Sequence, residues 1–149
     1  MLEVEPQLID AYVRTGKMRI IVRPLFLTGE DSLLAAHASE CAGEQQHYFA
    51  MRAAIFAMRA AIYADQGGLF AAESMNAGLS QRARDIGIDG DDFDRCMQSD
   101  KYRLTLLTGY TQAKEAGIVS RPVFEINGQR IIGARPFSEF ATIIDQLIP

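Results

Sequence analysis

An α/β fold interrupted by a long all-helical stretch is what this 149-residue sequence predicts, on three observations. A β-prone run, Met18 to Val22, follows an opening helix. A proline-led β-hairpin near the carboxyl end closes into another helix. Between them, from Gly29 to about Gly117, nothing reads as a strand, so helices break what would otherwise be an alternating pattern.

Val4, Leu8, Ile9, Tyr12 and Val13 recur at helical spacing, and Thr15-Gly16 supplies the glycine that commonly ends a helix. Pro6 fits in the first turn, or kinks a longer helix if residues upstream are absent. Met18 to Val22, Met-Arg-Ile-Ile-Val, is the first strand expected, apolar on both faces as suits a covered sheet, and Pro24 ends it. Asp31 or Ser32 is expected to cap a helix carrying Leu34, Ala38 and Cys41, with Gly43 near its end.

A second helix is expected from about Gln45 to Ala64, where Tyr48, Met51, Ile55, Met58 and Ile62 step by three and four. Inside it Ala50-Met51-Arg52-Ala53-Ala54-Ile55-Phe56 recurs one heptad later as Ala57 to Ile62, with Tyr63 in place of Phe56. Two heptads fall short of the roughly 3 to 4 that mark a coiled coil, so the echo reads as a core-facing seam, broadened by Phe49, Phe56 and Tyr63. Asp65 to Gly68 breaks the helix, and a third is expected from about Phe70 to Ile86.

Asp89, Asp91, Asp92 and Asp94 lack the order of a calcium loop, and Asp91 is expected as a helix cap instead. The short helix that follows presents Phe93, Cys96 and Met97 on one side. A longer one carries Tyr102, Leu106, Tyr110 and Ala113 to Gly117.

In the hairpin, Val123, Phe124 and Ile126 form one run and Arg130, Ile131 and Ile132 the other. Asn127-Gly128 supplies the two positive-φ positions of a type I′ turn. Pro122 opens the first strand, where its missing N–H is tolerated, and pushes Arg121 out of helical geometry. Gly133 to Pro136 then leads into Phe137, Phe140, Ile143, Ile144 and Leu147, one apolar face of a closing helix with Pro136 in its first turn.

Hydrophobic residues at 48% and charged residues at 23% describe one folded domain with a core rather than a disordered chain. A net charge of -4 without a basic cluster makes nucleic acid an unexpected partner. No run approaches the roughly 18 apolar residues of a membrane span. Met1-Leu2-Glu3-Val4-Glu5 is acidic at once and does not read as a signal peptide. Cys41 and Cys96, 55 positions apart, form neither a zinc knuckle nor a Cys-x-x-Cys pair. Two histidines, His37 and His47, are too few to complete a metal site, so no metal or cofactor is expected, and counting alone leaves a Cys-His pair open. Cys41 lies late in its helix, and Cys96 shares an apolar face, so both look structural rather than reactive, either as buried thiols or as a bridge.

Helix, Pro-strand, Asn-Gly, strand, Gly, helix is an order that resembles the C-terminal half of a thioredoxin fold, in the DsbA-like branch with a helical insertion. Tyr12 to Lys17, Cys41 to Gln45, and Phe93 to Cys96 with Lys101-Tyr102 also look like their counterparts there, so the likeness covers nearly the whole chain. The family's first strand and its Cys-x-x-Cys are not in it. The resemblance implies a thioredoxin-like α/β domain over residues 1–149 that lacks the first, central strand. Residues 29–117 would be the helical insertion plus the following long helix, and 118–149 the cis-Pro loop, hairpin and C-terminal helix.

In that family the proline corresponding to Pro122 is cis and helps hold extended substrate, which implies Ser120, Arg121 and Pro122 as substrate-contacting residues. Arg121 departs from the small or β-branched residue usual there; its guanidinium would favour a thiolate or pair with an acid, with no role assigned beyond contact with substrate or partner. Cysteines at the positions of Cys41 and Cys96 can form a bridge in the family. Such a bridge would contribute on the order of 4 kcal/mol and implies an oxidising compartment.

By family the function would be protein thiol-disulfide oxidoreduction, inactive in this chain if it is truncated, with extended or unfolded polypeptides and a redox partner protein as partners. The expected location is periplasmic or cell-envelope, with the cytoplasm left open. The alternatives are a non-catalytic peptide-binding module, or a kappa-type glutathione-dependent transferase or isomerase in which serine replaces the nucleophilic cysteine. Without the central strand, two strands would expose unpaired edges and leave the chain less stable, prone to aggregate, or completed by a strand from elsewhere.

Overall fold

The computed structural model describes residues 3–26, 29–64 and 72–148. The helix break expected at Asp65 to Gly68, the helix start expected at Phe70, and the side chains of Ile62 and Tyr63 fall outside what it describes. The chain divides into two units, one made of Met1–Arg23 with Gln112–Pro149 and the other of Pro24–Thr111.

The first unit opens with α1 (Val4–Leu8), which runs on into a π-helical turn, Ile9–Val13. Pro6 lies in the first turn, where a backbone N–H would have no partner within the helix, so proline's lack of one costs nothing. Gly16, at φ +75°, ends the segment, and the N–H groups of Lys17 and Met18 both donate to the Tyr12 carbonyl, at 2.9 and 3.1 Å. Tyr12 is buried, and its hydroxyl donates to Asp145 Oδ1 at 2.9 Å.

Residues Met18 to Val22 are not a strand, contrary to the expectation. A strand needs a neighbour's N–H and C=O groups, and the sheet among the described residues has two strands that pair with each other. The run is also not covered on both faces: Met18 and Ile20 pack into the unit's core, while Ile21 is 65% exposed.

The hairpin forms where the sequence places it. β1 (Val123–Ile126) and β2 (Gln129–Ile132) pair antiparallel, Val123 opposite Ile132 and Ile126 opposite Gln129. Asn127 and Gly128 take φ values of 44° and 89°, as the tight turn requires. α7 (Phe137–Asp145) follows, with Pro136 as its extended N-cap rather than in its first turn. Phe140, 1% exposed, meets Phe124 edge-on with ring centroids 4.6 Å apart, and Leu8, Tyr12 and Ile144 complete the buried core.

The second unit holds α2 (Glu30–Gly43), α3 (Tyr48–Ala64), α4 (Ala72–Asp85), α5 (Gly90–Gln98) and most of α6 (Arg103–Glu115). Its core centres on Phe93, Met51 and Leu79, all 0% exposed, joined by Cys41, Ile55, Met58 and Ala83. Met51, Ile55 and Met58 face inward as the heptad echo implies, whereas Phe49 and Phe56 are half-buried, with the Arg52 guanidinium 5.0 Å from the Phe56 ring. A second cluster gathers Phe26, Leu33, Ala36 and Leu106.

Both capping assignments need correction. α2 begins at Glu30 with Gly29 as its N-cap, at φ +71°, so Asp31 and Ser32 lie inside the first turn. α5 is capped by Asp89, not Asp91: the Asp89 carboxylate accepts from the N–H groups of Asp91 and Asp92, both at 3.0 Å. The acidic run offered several side chains, and the one before Gly90 has the extended backbone a cap needs. Gly90 has a reason of its own, since a Cβ there would come within 2.6 Å of Arg84 Nε. Arg84 thereby lies across the helix start and pairs with Asp94 at 2.6 Å.

Candidate functional site

The residues expected to contact substrate lie in the first unit. Beyond the last residue of α6, Glu115, Gly117 turns the chain at φ +73°, and Ile118 N–H donates back to the Ala113 carbonyl at 2.9 Å. The chain then runs outward through Val119, Ser120 and Arg121, all exposed, with Val119 at 76%. The Arg121–Pro122 peptide bond is cis. Pro122, half-buried, accepts from Gly133 N–H at 2.9 Å through its carbonyl, so hairpin pairing continues one step beyond β1 and β2.

Arg130 steadies this arrangement. It stands opposite Glu125 across the hairpin, 3.5 Å away as an ion pair, and donates through Nη1 to the Ala116 carbonyl at 3.1 Å. One edge of β1 is taken up by β2; the other has no strand beside it among the described residues.

Cys41 and Cys96 belong to the second unit and are joined, with S–S 2.05 Å and Cα atoms 5.7 Å apart. The bond ties α2 to α5. Beside it opens a cavity of about 370 Å³ lined by Cys41, Glu44, Asp92, Arg95, Cys96 and Lys101. Glu44 organises it: Oε1 accepts from Lys101 Nζ at 2.9 Å and from the Tyr102 hydroxyl at 2.8 Å, and lies 3.3 Å from Cys96 Sγ. A bridged sulfur has no proton to give, so that last approach is a contact and not a hydrogen bond.

The bond from Lys101, and then that from Tyr102, hold the Glu44 carboxyl below its usual value of 4.5. Since the folded value is the lower one, this stabilisation is complete above about pH 4.5 and fades as pH falls through the depressed value. Glu44→Gln is therefore expected to flatten the acid side of the stability profile and leave its slope above that range unchanged, as read from urea midpoints taken at successive pH values.

The histidine count could not reveal what the fold does with His37. His37 and Cys41 lie four residues apart on α2 and so share a face, and α5 brings Cys96 to the same place. His37 is 6% exposed, its Nε2 has no hydrogen-bond partner among the described residues, and the Tyr102 ring stands edge-on to it at 5.9 Å. Burial pushes its pKa down, against an opposing hydrogen bond to the Cys96 backbone. The only sequence signal for this grouping was the i, i+4 spacing of His37 and Cys41.

A family model described as thioredoxin matches residues 1–146. No curated protein matches the chain. Among solved structures, a thioredoxin-like oxidoreductase from Silicibacter pomeroyi DSS-3 is similar at 22% identity and a TM-score of 0.71, over 98% of this chain and 76% of that one. The thiol-disulfide exchange protein alpha-DsbA2 from Wolbachia pipientis is similar at 24% identity and a TM-score of 0.67, over 98% of this chain and 72% of that one. The likeness establishes a thioredoxin-like fold, here mostly helical with a small two-stranded sheet. No helix among the described residues is long and apolar enough to cross a membrane.

Proposed function

On the premise that this chain belongs to the thioredoxin family, in its DsbA-like branch, we propose that its first unit is a docking platform for extended polypeptide that holds substrate without itself exchanging disulfides. The observation that carries this reading is the outward run of Val119, Ser120 and Arg121 leading into a strand with one edge unoccupied among the described residues. An extended peptide laid beside such a run gains main-chain hydrogen bonds, and exposed Val119 offers it apolar contact. Ser120, Arg121 and Pro122 are the contacting residues in this reading.

Exchange chemistry needs an accessible low-pKa thiolate and a resolving thiol nearby. These residues supply one cysteine pair, already joined and set inside a helical unit. The reading therefore treats Val123 to Ile132 as the carboxyl-side half of the family's sheet and the helices of 29–117 as its insertion. The central strand and its reactive cysteines are not supplied by these residues. DsbA-like proteins imply protein substrates and an extracytoplasmic setting, with which a bridged cysteine pair agrees.

The chain is expected to give no turnover in an insulin-reduction assay yet to bind a fluorescently labelled, reduced and unfolded polypeptide. Val119→Asp should weaken that binding by about tenfold, a loss of about 1.4 kcal/mol. Turnover by the wild-type chain, or a variant that binds the polypeptide as well as wild type, would refute the proposal.

A further inference from the structure

His37 is a buried polar group that nothing in the docking reading uses. Leaving Nε2 without a partner among the described residues costs stability in the oxidised chain. The nearest chemistry is soft: one ligand atom each from His37, Cys41 and Cys96, all within 4.8 Å of one another. The carboxylate of Glu44, just past the end of α2, lies 3.3 Å from one of them, Cys96 Sγ.

We propose that His37, Cys41 and Cys96, with Glu44 as fourth ligand, bind a zinc-class divalent cation once the Cys41–Cys96 bond is opened. Oxidised, the cysteines form a bridge; reduced, they form a metal centre between the same two helices. The opening step is a two-electron reduction. A dithiol gives its two electrons and two protons to the S–S bond and becomes a disulfide, while Cys41 and Cys96 become thiols. Metal binding then displaces both thiol protons to solvent.

The donor set suits zinc, a borderline-soft ion taken by thiolate, imidazole and carboxylate in tetrahedral geometry. Its usual bond lengths put neighbouring ligand atoms roughly 3.5 to 3.8 Å apart, so the atoms of His37, Cys41 and Cys96 need to shift by only about 1 to 2 Å, and Glu44 closes in from its place beside Cys96. His37 Nε2, without a hydrogen-bond partner among the described residues, is the nitrogen left to the metal. The adjoining cavity supplies an entry path.

The test uses the full chain, oxidised and after anaerobic reduction with a phosphine, which leaves as its oxide with an oxygen from water and whose excess is removed before metal is added. Titration with Co²⁺ is expected to give one ion per reduced chain, with tetrahedral d–d bands and thiolate-to-cobalt charge transfer that Zn²⁺ abolishes. The oxidised chain should give neither. Zn²⁺ should raise the Tm of the reduced chain, refolding it if reduction has unfolded it, and leave the oxidised Tm unchanged.

Loss of a ligand in His37→Gln should weaken Co²⁺ binding by more than the about 10-fold that loss of an outer partner costs. A reduced wild-type chain without these bands and without a Zn²⁺-dependent Tm overturns the proposal, as does a folded His37→Gln variant that titrates like wild type. Should that variant not fold, the oxidised and reduced wild-type chains decide the matter alone.

Discussion

Opening the Cys41–Cys96 bond is expected to lower the stability of the helical unit by about 4 kcal/mol, because the bridge closes a 55-residue loop whose freedom the unfolded chain then regains. The measurement is a urea titration of oxidised and reduced protein under otherwise identical conditions, read by far-ultraviolet circular dichroism. Cys41→Ser/Cys96→Ser should lose at least as much, since Cys41 is 1% exposed and a hydroxyl there would be buried. A difference below about 1 kcal/mol, the scale of an ordinary substitution, would mean that the unfolded chain is not appreciably constrained by the bridge.

Phe93→Ala is expected to cost about 3 to 5 kcal/mol, comparable to the bridge. Phe93 is 0% exposed, and Ala38, Met51, Leu79 and Ala83 of α2, α3 and α4 belong to the same packed cluster. Several rigid helices border the ring, so they cannot all collapse into the space it leaves. Phe93→Leu keeps much of the volume and should cost less than half as much. Equal losses for the two variants in urea titrations would show that cavity size does not govern this site.

Parts of the structure governed by local chemistry were legible in the sequence. Asn127-Gly128 fixed the hairpin because few residue pairs accept two successive positive φ values. Gly16 and Gly117 marked helix ends for a related reason. Met51, Ile55 and Met58 declared an inward face through their spacing alone. The failures share a different cause. Whether Met18 to Val22 becomes a strand depends on a neighbour, which its own residues do not encode. Which acid caps α5 depends on backbone angles that Asp89 and Asp91 do not announce. The meeting of His37 with Cys96 depends on how α2 and α5 pack, and no feature of either helix states that. The candidate contacts Ser120, Arg121 and Pro122 were found by resemblance, since an exposed polar loop has little pattern of its own.

The repeated heptad in α3 leaves one matter to the turn before it. Met58 stands one heptad after Met51, so sliding the helix along its axis by seven residues, roughly 10 Å, would present much the same surface to the core. The seam by itself cannot tell the two placements apart. What distinguishes them is the four-residue connection from Gly43 to Tyr48, pinned by His47 N–H on the Ala42 carbonyl at 2.9 Å. That connection is too short to absorb the slide, and lengthening it with a flexible insertion would let one amino-acid sequence settle into two alignments.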